Sequence, residues 1–385
     1  MGDLKIFVIA GEASGDLLAS AIIKNIRLKY GDNIEIKGVA GELLINQGVK
    51  SIFPQNDISV MGFVEVIPAI PRVLNRIKLT VTEILSFKPD IIITIDSPDF
   101  NFRVIKKLKK IGINNSKIIH IVAPTVWAYR KKRAEKIAKL YDLLLVLLPF
   151  EPPYFTKYGL NTKFIGHPII YKDYSLPTKD VIEKYNIKGD SSIITITLGS
   201  RNKEVKTLSP IYKEALKKIY ETEKDITVII PTFDKYLDFF GEWIQDIPFK
   251  TVIVTDETDK FEFFRISKFV IAKSGTNTIE IAKQNTAFMA CYKVNLLTYL
   301  LLKIMVKTKH VNLLNIFAQK EVIPEYIQYK CSADNIARKS IDYLNDKNLA
   351  VSQAKEQGKY LTQFSNQKDI SPSEMAAEEI LKLVK

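Results

Sequence analysis

The sequence predicts an α/β protein made of two doubly wound, parallel-sheet units that face a cleft. Three observations carry this. Short apolar runs alternate with helical segments through residues 1–168. The alternation stops in a polar, turn-rich stretch at 171–192 and then restarts. The runs are nearly continuous in β-branched residues, as strands are when helices cover both faces of a parallel sheet.

In the first unit the strands are read as "KIFVIA" (5–10), "IEIKGVA" (34–40), "DIIITID" (90–96), "KIIHIVAP" (117–124), "LLLVLLP" (143–149) and "TKFIGHP" (162–168). In the second they are "SIITITLGSR" (192–201), "DITVIIPT" (225–232), "TVIVTD" (251–256), "FVIAKSG" (269–275) and "FMACYK" (288–293). The expected domains are 1–170, with helices of the tail 345–385 packing back on it, and 171–344. In open α/β sheets ligands sit beyond the carboxyl ends of the strands. Chemistry is therefore expected at "GEASGD", "DSPDF", "HIVAPTVWAYR", "GHP", "LGSR" and "SGTNTIE".

At 385 residues the chain is long for one core and comfortable for two. Two cysteines, Cys291 and Cys331, suggest neither a disulfide framework nor a metal site and fit a reducing cytosol. No signal peptide is expected, because a strand begins at once instead of a charged and then apolar leader. The apolar stretches at 143–150 and 294–306 are too short or too interrupted to span a bilayer. The net charge of +13 implies attraction to something acidic, whether nucleic acid, anionic lipid or a phosphorylated small molecule.

Two segments break the α/β pattern. Residues 60–79 interleave large apolar residues with Arg72, Arg76 and Lys78, and residues 292–310 do the same with Lys303, Lys307 and Lys309. Each reads either as an amphipathic membrane-interface segment or as a core-packed helix with snorkelling lysines. Pattern alone favours the second.

The strand ends carry the candidate chemistry. In "KSGTNTIE", Ser274, Gly275 and Thr276 stand where a helix should start and suit an anion. Glu280, near the same face, would be repelled by phosphate and suits hydroxyls, ribose above all; the alternative is a capped helix with a surface glutamate. In "LGSR", either Gly199 permits close approach and Arg201 offers a cationic fork for phosphate, or the stretch is an ordinary turn with a solvated arginine. In "IDSPDFNF", Asp96 and Asp99 could bind metal, act as a general base or form an Asx-turn. Metal is the weakest of these, because no histidine cluster accompanies them. His120 and His167 lie at or near strand ends; a lone histidine is more often a satisfied structural residue than a catalyst, and the ordinary titration of imidazole near neutral pH keeps each a candidate. "WAYRKKRAEKIAK" (127–139) reads as a solvated basic helix, since no nucleic-acid motif accompanies it.

At this point the blocks "AGEASGDLL", "VMGFVEV", "IDSPDFN", "APTVWAYRKKRAEKI", "LPFE", "FIGHP", "LGSR", "SGTNTIE" and "VNLLNIFA" resemble the lipid-A-disaccharide synthase family, in order, from residue 5 to about 330. The resemblance implies a GT-B glycosyltransferase of two Rossmann-like domains. It would move 2,3-diacylglucosamine from UDP to the 6-hydroxyl of 2,3-diacylglucosamine 1-phosphate (lipid X), forming a β-1,6 disaccharide phosphate. In that reading Ser200, Arg201, Ser274, Gly275, Thr276, Glu280 and Asn315 bind the nucleotide sugar, with Glu280 on the ribose. Glu12, Ser14, Asp16 and His120 are polar substrate contacts, and the first domain takes the acceptor. Asp96 is the base of an inverting displacement, with Asp99 the alternative. Arg201 and the Ser-Gly-Thr segment stabilise departing UDP. No metal, cofactor or nucleic acid is implied. The lipid substrates imply a cytoplasmic enzyme held peripherally at the inner membrane of a Gram-negative bacterium, through 60–79 and a second contact at 294–309. Exchange of the tail between chains is a route to a homodimer.

The chain departs from the family pattern at Leu198 and Leu314, where proline is usual, and at Tyr129, where tryptophan is often found. Other readings stay open: a UDP-GlcNAc 2-epimerase or murein-type N-acetylglucosaminyltransferase on the same fold, a basic nucleic-acid-binding protein, and a membrane scaffold with a dead site.

Overall fold

The computed structural model describes residues 3–31, 33–58, 63–113, 115–127, 132–172, 178–305 and 308–384, the side chains of 63–69, 179, 297, 301, 302 and 305 excepted. Two compact units divide the chain: residues 1–171 with 364–385, and residues 172–363.

The first unit is built on a parallel sheet in the order β3-β2-β1-β4-β5-β6-β7. Its strands are β1 (Leu4–Ala10), β2 (Ile34–Val39), β3 (Lys50–Ser51), β4 (Ile91–Ile95), β5 (Lys117–Ile121), β6 (Leu143–Val146) and β7 (Thr162–Phe164). Successive side chains of a strand point to opposite faces, so a continuous apolar run serves two cores at once. Ile6, Val8 and Ala10 of β1 pack with Ile22, Ile23 and Ile26 of the helix Ala13–Tyr30. Phe7 and Ile9 pack on the other side with Val104, Ile105 and Leu108 of the helix Pro98–Ile111.

The second unit repeats the plan in the order β10-β9-β8-β11-β12-β13. Its strands are β8 (Ser192–Thr197), β9 (Ile226–Pro231), β10 (Lys250–Val254), β11 (Phe269–Lys273), β12 (Phe288–Tyr292) and β13 (Glu325–Ile327). Ile194 and Ile196 of β8 pack under Val205, Leu208, Tyr212 and Leu216 of the helix Asn202–Thr222, while Ile193 joins Ile229, Val252 and Phe263 on the opposite face.

The tail corrects the expectation for 345–385. The helix Lys347–Leu361 belongs to the second unit, where buried Gln353 and Gln357 donate from Nε2 to the carbonyls of Phe288 (2.7 Å) and Thr286 (2.9 Å). Only from Phe364 does the chain join the first unit. There the His167 N–H donates to the Phe364 carbonyl and Asn366 Nδ2 to that of Ile165. The helix Pro372–Leu381 then buries Ala376, Ala377 and Ile380 beside the helix Ala13–Tyr30, and Lys29 bridges Glu374 and Glu378.

Of the two anomalous segments, the first contributes a helix, Phe63–Phe87, and residues 60–62 and the side chains of 63–69 lie outside the described residues. Its later turns bury Ile77, Val81 and Ile84, and Arg76 is tied to Asp57 at 2.7 Å. Ile70 and Leu74 are 43% and 46% exposed. The second forms the helix Leu296–Met305, with Leu296, Leu300 and Ile304 exposed. Of "WAYRKKR", residues 128–131 lie outside the described residues, and the helix of this region runs Lys132–Ala138. Among the described residues no helix is long and apolar enough to cross a membrane.

Candidate functional site

Each sheet has one place where its strand order reverses direction. In the first unit it lies between β1 and β4, which pair through Ala10 and Ile95. Connections leaving β1 and β4 run to opposite sides, so a crevice opens beyond their carboxyl ends. "GEASGD" leaves β1 and "DSPDF" leaves β4, and the two loops touch. Gly11 closes on Ser97: a Cβ on Gly11 would stand 2.1 Å from Ser97 Oγ.

The backbone here is strained. Asp96 and Ser97 have φ of 53° and 39°, and Val122, at the end of the adjacent β5, has φ of 73°. Positive φ is uncommon outside glycine and is a true outlier for a β-branched residue. Such strain persists only where the surroundings over-determine it, and it concentrates at functional sites.

The two aspartates are set apart by their partners. Asp99 is 80% exposed and paired with Arg133 at 2.8 Å, whose guanidinium lies over the Phe102 ring. Asp96 is partly buried. Burial holds its carboxyl above the ordinary carboxylate range, against smaller opposing effects of the Ser97 N–H and the Ser14 hydroxyl, whose Oγ is 3.5 Å away. A carboxylate with raised basicity is the better proton acceptor of the two.

The second unit reverses order between β8 and β11, where Thr197 registers with Ala272. "LGSR" leaves β8 and "KSGTNTIE" leaves β11, and Asn277 Nδ2 ties them by donating to Thr197 Oγ1 at 2.7 Å. Gly199 has φ of 97°, and a Cβ on it would meet Glu204 Oε2 at 2.4 Å. Arg201, N-cap of the helix Asn202–Thr222, is 65% exposed and 3.2 Å from Glu204. Lys273 reaches the same carboxylate at 2.9 Å. Lys235 Nζ and the Tyr236 hydroxyl both donate to the Ser200 carbonyl at 3.0 Å. Lys260 holds half-buried Glu280 at 3.1 Å. Buried Ser274 is anchored through its N–H to the Cys291 carbonyl. The loops therefore carry Arg201 and Lys273 on Glu204, Lys235 on the Ser200 carbonyl and Lys260 on Glu280, residue types suited to an anion with hydroxyls beside it.

Four expectations change. Asp16 is 3% exposed, and its carboxylate accepts from the N–H groups of Gly41 (2.8 Å), Leu43 (2.9 Å) and Leu44 (3.3 Å). It staples the first turn of the helix Glu42–Asn46, so it is placed as a structural group. His120 is fully buried between Phe102 and Tyr141, its Nδ1 2.7 Å from Thr94 Oγ1. Burial lowers its pKa to about 3, so it is a neutral core residue. The Asn315 amide is saturated: Nδ2 donates to the Ile323 carbonyl and Glu325, and Oδ1 accepts from Val322 and Ile323 N–H. Finally, the helix after "SGT" runs only Asn277–Lys283 with Thr276 as N-cap, so its dipole is short. Glu12 occupies the N-cap position of the helix Ala13–Tyr30 without a side-chain cap bond, and its carbonyl accepts from Gln55. Ser14, Asp96 and Gly11 stay together at the first crevice, and Ser200, Arg201, Ser274, Gly275, Thr276 and Glu280 at the second.

Sequence reasoning passed over Lys273, Glu204, Lys235 and Lys260. Lys273 opens a quoted motif, and Glu204 stands three residues after Arg201, a helical spacing that announces their pairing. Lys235 and Lys260 carry no local signal. Among the described residues, no group of three or more His, Cys, Asp or Glu gathers to hold a metal.

Comparison with known proteins bears on the family and the fold. The sequence pattern of the Lipid-A-disaccharide synthetase family matches residues 6–380. Lipid-A-disaccharide synthase of Rickettsia prowazekii (strain Madrid E) is 37% identical over 376 residues, covering 97% of this chain and 98% of its own. That of Rickettsia bellii (strain OSU 85-389) is 38% identical over 377 residues, 97% of each chain. The fold resembles S. aureus MnaA in its UDP co-structure (TM-score 0.62, 14% identity, 99% and 96% of the two chains). It also resembles the glycotransferase of kitacinnamycin (TM-score 0.61, 10% identity, 99% of each chain).

Proposed function

Because the chain belongs to the lipid-A-disaccharide synthase family and is a GT-B glycosyltransferase, we propose that it transfers 2,3-diacylglucosamine from UDP-2,3-diacylglucosamine to the 6-hydroxyl of lipid X with inversion. The second unit's crevice takes the UDP moiety. Arg201 and Lys273 face the diphosphate, and Glu280, held by Lys260, accepts from ribose hydroxyls. Ser274, Gly275 and Thr276 supply hydroxyl and N–H donors, with Ser200 beside them. The first unit's crevice takes the acceptor, with Ser14 and Glu12 on its polar groups.

Asp96 removes the proton from the acceptor 6-hydroxyl as that oxygen attacks the anomeric carbon. The bond to UDP breaks on the opposite face, and the arginine and lysine donors stabilise the leaving diphosphate. Each well-placed donor contributes about 3 kcal/mol to such a step. Asp99 serves less well as base, because Arg133 already neutralises it. The observation that carries this reading is Asp96: a carboxylate lifted in basicity by burial, forming no ion pair among the described residues, on a strained turn at the switch point.

The substrates are lipids, so the enzyme meets the cytoplasmic leaflet of the inner membrane. Exposed Ile70 and Leu74 with exposed Arg72 and Lys78 suit that contact, as do Leu296, Leu300 and Ile304 with Lys303 on the second unit. Exchange of the 364–385 tail between two copies would remake the Lys29 bridges to Glu374 and Glu378 in trans, which sedimentation would reveal as a dimer.

The test is turnover in detergent micelles with both substrates and EDTA. Equimolar UDP and β-1,6 disaccharide phosphate are expected. Saturable UDP binding with no disaccharide would move the assignment to another UDP-sugar reaction.

A further inference from the structure

We propose that Asn101 is a positioning residue: its side-chain amide holds the left-handed turn that aims the Asp96 carboxylate at the acceptor. The inference rests on the reading of Asp96 as the base.

Asp96 and Ser97 are two consecutive non-glycine residues at positive φ. A single such residue is unfavourable, and two in a row need an external clamp. Asn101 supplies it. It lies in the first turn of the helix Pro98–Ile111, is completely buried, and reaches back over the turn. Nδ2 donates to the Asp96 carbonyl at 2.7 Å and to the Ile95 carbonyl at 3.3 Å. Both partners are acceptors, so only the NH2 end of the amide can face them. The orientation is dictated by chemistry.

The remaining contacts of the turn complete the clamp. The Asp96 N–H donates to the Ile121 carbonyl of β5 at 3.1 Å, so the residue's backbone is pinned on both sides. The Ser97 carbonyl accepts from Phe100 and Asn101 N–H at 3.2 and 3.1 Å. Gly11 presses on Ser97 from the β1 loop and leaves no room for a side chain.

The Asp96 carboxylate itself is lightly held, by the Ser97 N–H and by Ser14 Oγ at 3.5 Å. Its direction is therefore inherited from its backbone, and the backbone from Asn101. A leucine at 101 would leave two turn carbonyls without their donor. An ionised aspartate would set a second anion beside them.

The experiment is a double-mutant cycle on the full chain in the micelle assay, with melting temperature recorded for each variant. Asn101→Ala is expected to lower kcat about 10²-fold, the loss that a misplaced reacting group brings, with KM for either substrate within about 3-fold. In the Asp96→Asn background the same change is expected to cost less than about 3-fold, because no base remains to be misplaced. The near-isosteric Asn101→Asp gives a pH signature. Only its neutral carboxyl can donate, so its kcat relative to the unaltered enzyme rises as pH falls. It carries the same cycle where Asn101→Ala does not fold.

Equal losses from Asn101→Ala with and without the Asp96 carboxylate, or no loss at all, would overturn the inference. Near-normal turnover by Asp96→Asn alone would remove the base reading, and this inference with it, which is a separate outcome.

Discussion

The two switch points share a topology and differ in chemistry. At the first, between β1 and β4, the crevice presents a carboxylate of raised basicity on a left-handed turn. At the second, between β8 and β11, Arg201 and Lys273 pair with Glu204, Lys260 pairs with Glu280 and Lys235 holds the Ser200 carbonyl, and the one positive φ in "LGSR" falls on glycine. Strain is carried by Asp96, Ser97 and Val122 where proton transfer is proposed, and relieved by Gly199 where phosphate is proposed. The difference teaches that the fold supplies the place and the loops supply the charge. The carboxylate proposed to move a proton is lightly held and partly dry, on a turn whose backbone is clamped. A group that must bind an anion is left cationic and exposed, as Arg201 is.

The largest effect expected is from Asp96→Asn, which should lower kcat by about 10²–10⁴-fold, the range of a general base. The same variant should melt higher at neutral pH. The sign follows from linkage: burial raises the folded-state pKa of Asp96, so the folded protein holds that proton more tightly than the unfolded chain. The group's favourable contribution is present at low pH and is lost as pH rises through the raised value. For the same reason kcat should fall as pH drops through a value above the ordinary carboxylate range, and the Asp96→Asn profile should lack that limb.

Next is Arg201→Ala, expected to lower kcat/KM about 10²-fold and to weaken UDP binding, while thermal melting changes little because the side chain is mostly exposed. Gly199→Ala should follow, through a Cβ 2.4 Å from Glu204 Oε2 at φ of 97°. It should lower stability by about 1–3 kcal/mol and raise KM for the UDP-sugar more than it lowers kcat. Circular-dichroism melts and steady-state kinetics separate the two effects. The smallest is the pair Ile70→Ser and Leu74→Ser, which should weaken sedimentation with anionic vesicles several-fold and leave micellar kcat within about 2-fold, since both side chains are exposed.

The strands were legible because burial on both faces writes a continuous apolar run, as in "DIIITID" and "SIITIT". Strands β3 and β13, two and three residues long, were passed over. The loops that matter were legible as strand ends, since topology alone makes a strand end at a switch point a site. What their side chains do was less so. Asp16 and Ser14 stand two residues apart in one motif, yet Asp16 turns inward to three N–H groups and Ser14 outward. Only the position of Gly41, twenty-five residues away, decides between them. His120 and Asn315 are the same case: a polar letter in a motif is compatible with a ligand and with a staple, and the deciding partners, Thr94 and Glu325, come from other elements. The tail was misassigned because the helices Lys347–Leu361 and Pro372–Leu381 read alike in sequence, while the chain passes between units in the few residues that separate them.

The division of labour is tested most directly by UDP titration calorimetry alongside turnover for Asp96→Asn and Arg201→Ala. Asp96→Asn is expected to bind UDP within about 2-fold of the unaltered protein while forming almost no disaccharide, and Arg201→Ala to bind UDP at least about 10-fold more weakly. Loss of UDP affinity in Asp96→Asn, or unchanged affinity in Arg201→Ala, would contradict the assignment of the base to the first crevice and the nucleotide to the second.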